Sequence, residues 1–340
     1  MHTNLLKIYI LFFCFLSIAT IEVISVEELH KALERAKSGQ VILIAPGIYD
    51  VTSYERKDEF KLSASGTKSS PITLAAKDPD DPPILRASSI KEGTMLHITG
   101  SYWIVDNIKI AYCGRGILME HSSYSIIRNV EIYSIGSTAI IVRDGSSHNL
   151  FQNCYIHDTG RNNDLFGNAF VIGNAIETTY YDYKNDYNVI DQCVFSHISS
   201  VNIGIRVFCT GNEIVNSVFY GDSINGKYNG VESSNHFISI TGSENYIHDN
   251  VLYRNLNKNI IGAFEIIKIA EETGDGNKFV NNVLFMDRPD AETRTKQRMY
   301  VVDGLNTTFS VKNNKVDYGE GLIDADNKEF YNSDSVTFLE

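Results

Sequence analysis

The sequence predicts an all-β fold, a right-handed parallel β-helix with an N-terminal capping helix, and three observations predict it. An asparagine-led unit recurs as Asn149-Leu-Phe-Gln-Asn-Cys-Tyr-Ile156, Asn188-Val-Ile-Asp-Gln-Cys-Val-Phe195 and Asn212-Glu-Ile-Val-Asn-Ser-Val-Phe219. It continues as Asn245-Tyr-Ile-His-Asp-Asn-Val-Leu252 and Asn277-Lys-Phe-Val-Asn-Asn-Val-Leu284, with weaker copies at Trp103–Ile110 and Tyr124–Ile132. The spacing fits a coil of about 22–24 residues carrying insertions of variable length. Second, the apolar runs are short, alternating and rich in β-branched residues, which marks strands rather than helices. Third, no single unit buries its apolar face alone, whereas stacked copies build one continuous core. The repeated asparagines are expected to stack at one turn as an amide ladder, a structural role that leaves them no part in the chemistry.

Taken in order, residues 1–20 carry Lys7 and then the stretch Ile8–Thr20, a short apolar run with a small-residue end, the pattern of a secretory signal peptide. The run is short for a membrane span and no comparable one follows, so the expected location is secreted, with no membrane attachment after cleavage. Residues 26–37 follow Ser25, which stands three residues before Glu28 in a capping-box pattern. Leu29, Ala32, Leu33 and Ala36 share one face of this expected helix, which plugs the open end of the solenoid. Gly39–Tyr49 gives the first strand and a Pro-Gly turn, 52–70 reads as a polar loop, and Pro71–Ala76 and Pro83–Arg86 are strands around a Pro- and Asp-rich turn. Coils run from Met95 to about Asp287. Insertions at Arg161–Phe166, Glu177–Tyr187 and Gly221–Ser234 project as the walls of a groove. Beyond them the copies fade, and 298–340 is expected to be an irregular last coil and cap. The whole of 21–340 is expected to be one domain.

Thirty Lys and Arg against 42 Asp and Glu give a net charge of −12, and no basic face stands out, which argues against nucleic acid. A polyanionic substrate then requires a local basic patch or a bound cation to overcome the field. After loss of Cys14 with the leader, Cys113, Cys154, Cys193 and Cys209 remain; Cys154 and Cys193 share one place in successive units, and the pairing of the four stays open. Absence of any His-x-x-x-His or Cys-x-x-Cys pattern argues against zinc, and no Gly-x-Ser-x-Gly elbow is present.

The repeats resemble the pectin-lyase-like superfamily of right-handed β-helix proteins. Val41-Ile-Leu-Ile-Ala-Pro-Gly-Ile-Tyr-Asp50 with Ser70-Pro-Ile-Thr-Leu74 looks like the opening of pectate-lyase and alginate- or chondroitin-lyase members. His157-Asp-Thr-Gly-Arg161 and Gly167-Asn-Ala-Phe-Val-Ile-Gly-Asn174 are similar to stretches of secreted members. The resemblance covers residues 24–287. It implies a polysaccharide lyase that takes the proton α to a uronate carboxylate and expels the 4-linked sugar by β-elimination, with Ca²⁺ as a cofactor. An Asp-x-Lys common in relatives is here Gly204-Ile-Arg206, and a second lysine position is Thr241.

With the units aligned, Arg143 falls at the coil position of Arg206, so the two arginines are candidates to clamp a carboxylate, with Arg206 as base or clamp. Lys268 is the reserve catalytic residue. Arg161, Tyr180 and Tyr181 are candidate substrate contacts, the tyrosines as rings that stack on sugars, and Asp144, Asp164 and Glu177 are candidate Ca²⁺ ligands. The expected function is a secreted lyase, acting as a monomer on an acidic polysaccharide. The alternative is an inactive β-helix that binds glycan or a host or cell surface. The Asp-Asp pair of hydrolases on this fold is missing from the coils, which ranks hydrolysis below elimination.

Overall fold

A computed structural model describes residues 20–51, 60–87, 89–91, 93–162, 167–174, 184–221, 227–228, 231–232, 236–254, 262–267, 273–286, 298–303, 307–319, 321–326, 330–332 and 337–338. The chain winds as a parallel β-helix with three strands per turn. Among the described residues those strands stack into a first sheet of 12 strands, a second of 11 and a third of 10. One coil runs Ile126–Arg128 in the first sheet, Glu131–Tyr133 in the second and Ile140–Arg143 in the third. The next coil repeats it in register, with Ile127 over Phe151, Ile132 over Ile156 and Ile140 over Phe170. Inward side chains at these positions are fully buried, and one apolar core runs from Val23 to Ala325. Each such Ile or Phe contributes roughly 1.5–3 kcal/mol of burial, so the strand alternation read from sequence is what holds the solenoid together.

The repeated polar residues divide into three roles at the turns. Asn149, Asn188, Asn212, Asn245 and Asn277 form the expected ladder: each Nδ2 donates to the Oδ1 of the next, at 3.0–3.1 Å. Four residues later, Asn153, Gln192, Asn216, Asp249 and Asn281 all have φ between 51° and 55°. That left-handed conformation bends the chain from the first sheet into the second, and Asn and Asp tolerate it best. The next position is a second internal ladder: Cys193 N–H donates to Ser217 Oγ, Ser217 N–H to Asn250 Oδ1, and the amides of Asn250, Asn282 and Asn314 follow one another. Cys154 and Cys193 occupy this ladder too, and all four described cysteines are buried free thiols.

The helix is shorter than expected, Val26–Glu34. Ser25 Oγ accepts the Glu28 N–H, and the Glu28 carboxylate reaches back one residue further, to the N–H of Ile24. Leu29, Ala32 and Leu33 are buried as expected, and His30 lies on Phe60 at 4.6 Å, so the helix covers the first turn of core. At the other end, the irregular coil expected beyond residue 298 is regular. Arg298–Asp303, Thr308–Lys312 and Lys315–Asp317 add strands to all three sheets, because Tyr300, Val302, Phe309 and Val316 keep the inward alternation. Asp326 accepts both the N–H and the Nδ2 of Asn314 and ends the second ladder, and Leu322–Asp324 pairs antiparallel to Lys315–Asp317. The expected leader lies outside the described residues except for Thr20, which opens the strand Thr20–Val23.

Candidate active site

The third sheet is the face on which the sequence-derived candidates gather. Its strands Arg115–Glu120, Ile140–Arg143, Phe170–Ile172, Ile203–Ile205, His236–Ile240 and Gly262–Ile267 bury Ile117, Val142, Ile172, Ile205, Ile240 and Ile266. Alternation turns the residues between them outward. In chain order the insertions at 161–166 and 221–234 precede strands of this sheet and the one at 177–187 follows one, but most of these residues, the expected groove walls, lie outside the described residues.

One outward row carries the cations. Glu120 pairs with Arg143 across one coil, and the row continues through Gly173, Arg206 and Thr241, whose N–H groups each donate 2.8 Å to the coil before. Arg143 and Arg206 therefore share a row, as expected, two strand spacings or about 10 Å apart. Their surroundings differ. Arg143 Nε lies 2.8 Å from Glu120 Oε1 and 3.4 Å from an Asp144 oxygen, and His97 Nε2 holds the other Glu120 oxygen at 2.6 Å. Burial alone would raise the pKa of Glu120, but the Arg143 hydrogen bond and charge, with His97 behind them, hold it below the ordinary carboxylate value. Asp144 Oδ1 in turn accepts from Asn174 Nδ2. Arg143 is thus neutralised in place.

Arg206 is not. Among the described residues its guanidinium has no carboxylate and no hydrogen-bond acceptor, although it is half-buried. Burial lowers its pKa from the ordinary value, with Cys209 acting in the opposite sense, yet a guanidinium in a protein stays charged. A partly desolvated cation without a partner is costly, and it is a ready receptor for an anion. Gly173 keeps it there: with φ at +109°, a Cβ on Gly173 would stand 2.6 Å from Arg206 Cβ and 2.7 Å from Cys209 Sγ. Burial pushes the Cys209 thiol up to about 12, so it stays protonated beside the arginine.

The remaining candidates divide. Arg161 is exposed and faces Asp158 at 3.7 Å, and its described contacts do not reach Arg206. Thr241 donates its hydroxyl to the Ile205 carbonyl at 3.2 Å and is buried, so it is a turn residue. Lys268, Tyr180, Tyr181, Asp164 and Glu177 lie outside the described residues. The described donors do not fit Ca²⁺: Asp144 is committed to Asn174 and Arg143, and no three His, Cys, Asp or Glu converge on one point among the described residues. Sequence reading missed Ser239, which lies one coil beyond Gly204 and donates to Glu265 Oε2 at 2.7 Å.

A groove of about 640 Å³, lined by Asp106, Asn107, Asn129, Glu131, Asn153 and Tyr155 among others, lies elsewhere, at the turn between the first and second sheets. Concavity alone would favour it as a site. Its carboxylates are already held, Asp106 by Arg128 at 2.7 Å and Glu131 by Lys109 at 2.7 Å, so it lacks the unpaired charge found at Arg206.

Comparison with known proteins agrees with this architecture. Residues 19–179 match the family model described as Pel9A-like, right handed beta helix region. Among solved structures, the chain is similar to an alginate lyase from Paenibacillus sp. str. FPU-7, at 29% identity and a TM-score of 0.78, over 88% of this chain and 95% of that one. It is similar in fold to the pectate lyase Pel9A, at 15% identity and a TM-score of 0.60, over 85% of this chain and 71% of that one. A further likeness is to ORF18 of Geobacillus virus E2, at 13% identity and a TM-score of 0.63, over 94% of this chain and 62% of that one. No curated protein matches the sequence. The expected resemblance to right-handed β-helix proteins of pectate- and alginate-lyase type is thereby borne out.

Proposed function

We propose that the protein is a secreted polysaccharide lyase that cleaves a uronate-containing polymer by β-elimination, with Arg206 as the receptor of the uronate carboxylate. The guanidinium of Arg206, unpaired among the described residues on the outer face of the third sheet, carries this reading, and the likeness to an alginate lyase supports it. In the elimination a base takes the proton on the carbon α to the carboxylate. The electron pair of that C–H bond becomes the new double bond, the bond to the 4-linked oxygen breaks, and that oxygen takes a proton from solvent water as it leaves. Negative charge grows on the carboxylate in between. A bidentate guanidinium in a partly desolvated groove stabilises that charge more than it does the ground state.

Arg206 stays protonated, so it is a clamp and not the base. The reading assigns the base to Lys268, the residue that follows the strand Gly262–Ile267 of the same sheet. Arg143, bound by Glu120 and Asp144, is already neutralised and holds a structural place in the row.

A second reading, a glycan-binding protein without catalysis, is favoured by Thr241, whose hydroxyl is spent on the Ile205 carbonyl at a position where the resemblance implies a lysine. The test is ultraviolet absorbance of the unsaturated uronide from alginate, polygalacturonate and chondroitin, each with Ca²⁺ and with chelator. One polymer is expected to give a rising trace that Arg206→Ala lowers by about 100-fold or more. Flat traces with retained, Arg206-dependent glycan binding would transfer the conclusion to the second reading. Flat traces without binding would end both.

A further inference from the structure

The third sheet holds two glycines beside Arg206, and only one of them is explained by the fold. Gly173 has a left-handed φ and no room for a side chain. Gly204 has neither constraint. Its φ is not left-handed, and a Cβ built on it meets one atom among the described residues, Val171 Cγ2 at 4.0 Å, an ordinary van der Waals separation. It sits mid-strand between the buried Ile203 and Ile205, on the same outer face as Arg206. Val171 and Ser239 are its partners in the strands on either side, and Gly204 itself is buried.

Glycine inside a strand weakens it, and a strand favours β-branched residues instead. The same sheet places Val171, Ser239 and Glu265 in this row, so the fold accepts side chains there. Where, among the described residues, neither backbone conformation nor packing asks for glycine, close approach of a ligand to the backbone is the remaining physical reason.

We infer that Gly204 is the specificity-determining floor of the subsite next to Arg206: its missing side chain admits the pyranose ring whose carboxylate Arg206 receives. The inference rests on the uronan reading above and extends it. The ring lies over the Gly204 backbone, two residues along one strand from the guanidinium. Beyond it, Ser239 with its partner Glu265 presents oxygens to sugar hydroxyls. A side chain at 204 lifts the ring from the sheet and takes its carboxylate out of reach of Arg206.

Gly204→Val and Gly204→Ala test this against Arg206→Ala in the full mature chain. The readouts are thermal stability, titration with alginate, polygalacturonate and chondroitin oligomers, and KM and kcat on any polymer the wild type cleaves. Gly204→Val is expected to keep or raise Tm while weakening oligomer binding and raising KM at least tenfold, with Gly204→Ala intermediate. If Gly204→Val does not fold, Gly204→Ala carries the test, with a threefold loss at unchanged Tm as the expected result. Wild-type affinity in the folded Gly204 variants, with binding lost in Arg206→Ala, would overturn the inference and leave the lyase reading standing. Absence of binding by the wild type to every oligomer would overturn both.

Discussion

Replacing Asn188 by alanine measures what the internal amide ladder is worth. Its side chain is fully buried and uses its full hydrogen-bonding capacity. Oδ1 accepts from the backbone N–H of Asn149 at 3.1 Å and from Asn149 Nδ2 at 3.0 Å, while Nδ2 donates to the Ser146 carbonyl at 3.2 Å and to Asn212 Oδ1 at 3.1 Å. Alanine leaves two donors of the buried Asn149 without an acceptor, at about 1–3 kcal/mol each, so the expected cost is about 2–6 kcal/mol. Asn216→Ala is the control. Asn216 is exposed with φ at 51°, and among the described residues its amide bonds only to Asp191. Its replacement is expected to cost about 1–2 kcal/mol, the price of a left-handed alanine. Equilibrium urea unfolding followed by the fluorescence of Trp103, the single and fully buried tryptophan, reads both variants. A loss in Asn188→Ala no larger than in Asn216→Ala would refute the ladder as a source of stability.

Two further perturbations separate scaffold from site. Gly173→Ala forces a side chain into a left-handed φ and against Arg206 Cβ at 2.6 Å, so urea midpoint and oligomer binding are expected to fall together, with a stability loss of about 1–3 kcal/mol; unchanged values for both would refute the packing argument. Glu120 has its folded pKa below the ordinary 4.5, so its contribution is present above that value and is lost as pH falls through the lower folded value. Glu120→Gln is expected to lower stability at neutral pH and to flatten its decline in acid, and a parallel decline in urea midpoints between pH 5 and pH 3 would contradict this.

The coil architecture was legible because its determinants are local and periodic. Inward alternation recurs along the coils and the Asn149-type residue at five successive ones, so a single sequence displays them. The second ladder was not legible, because one structural position is filled in turn by Cys154, Cys193, Ser217, Asn250 and Asn282, which share hydrogen bonding but not identity. The Asn153-type residue looked like part of a polar pair, and only its backbone angle shows that it makes the turn. At the site, alignment of the units placed Arg143 and Arg206 in one row. It could not show that Glu120, one coil earlier, neutralises Arg143 and leaves Arg206 alone. Ion pairs between coils follow no period. Gly204 read as the loss of an acidic residue, and its meaning emerged only when the space around an absent Cβ was known.

The central claim is that Arg206 receives a substrate carboxylate, and one binding measurement tests it most directly. The oligomer that the wild type binds is compared with the same oligomer after reduction of its carboxylates to alcohols, on wild type and on Arg206→Gln. A charge-assisted hydrogen bond of about 1.5–3 kcal/mol corresponds to a preference for the acid of roughly 10- to 100-fold. The account predicts that preference in the wild type and its disappearance in Arg206→Gln. Equal binding of acid and alcohol by the wild type, or a preference that survives in Arg206→Gln, would contradict it.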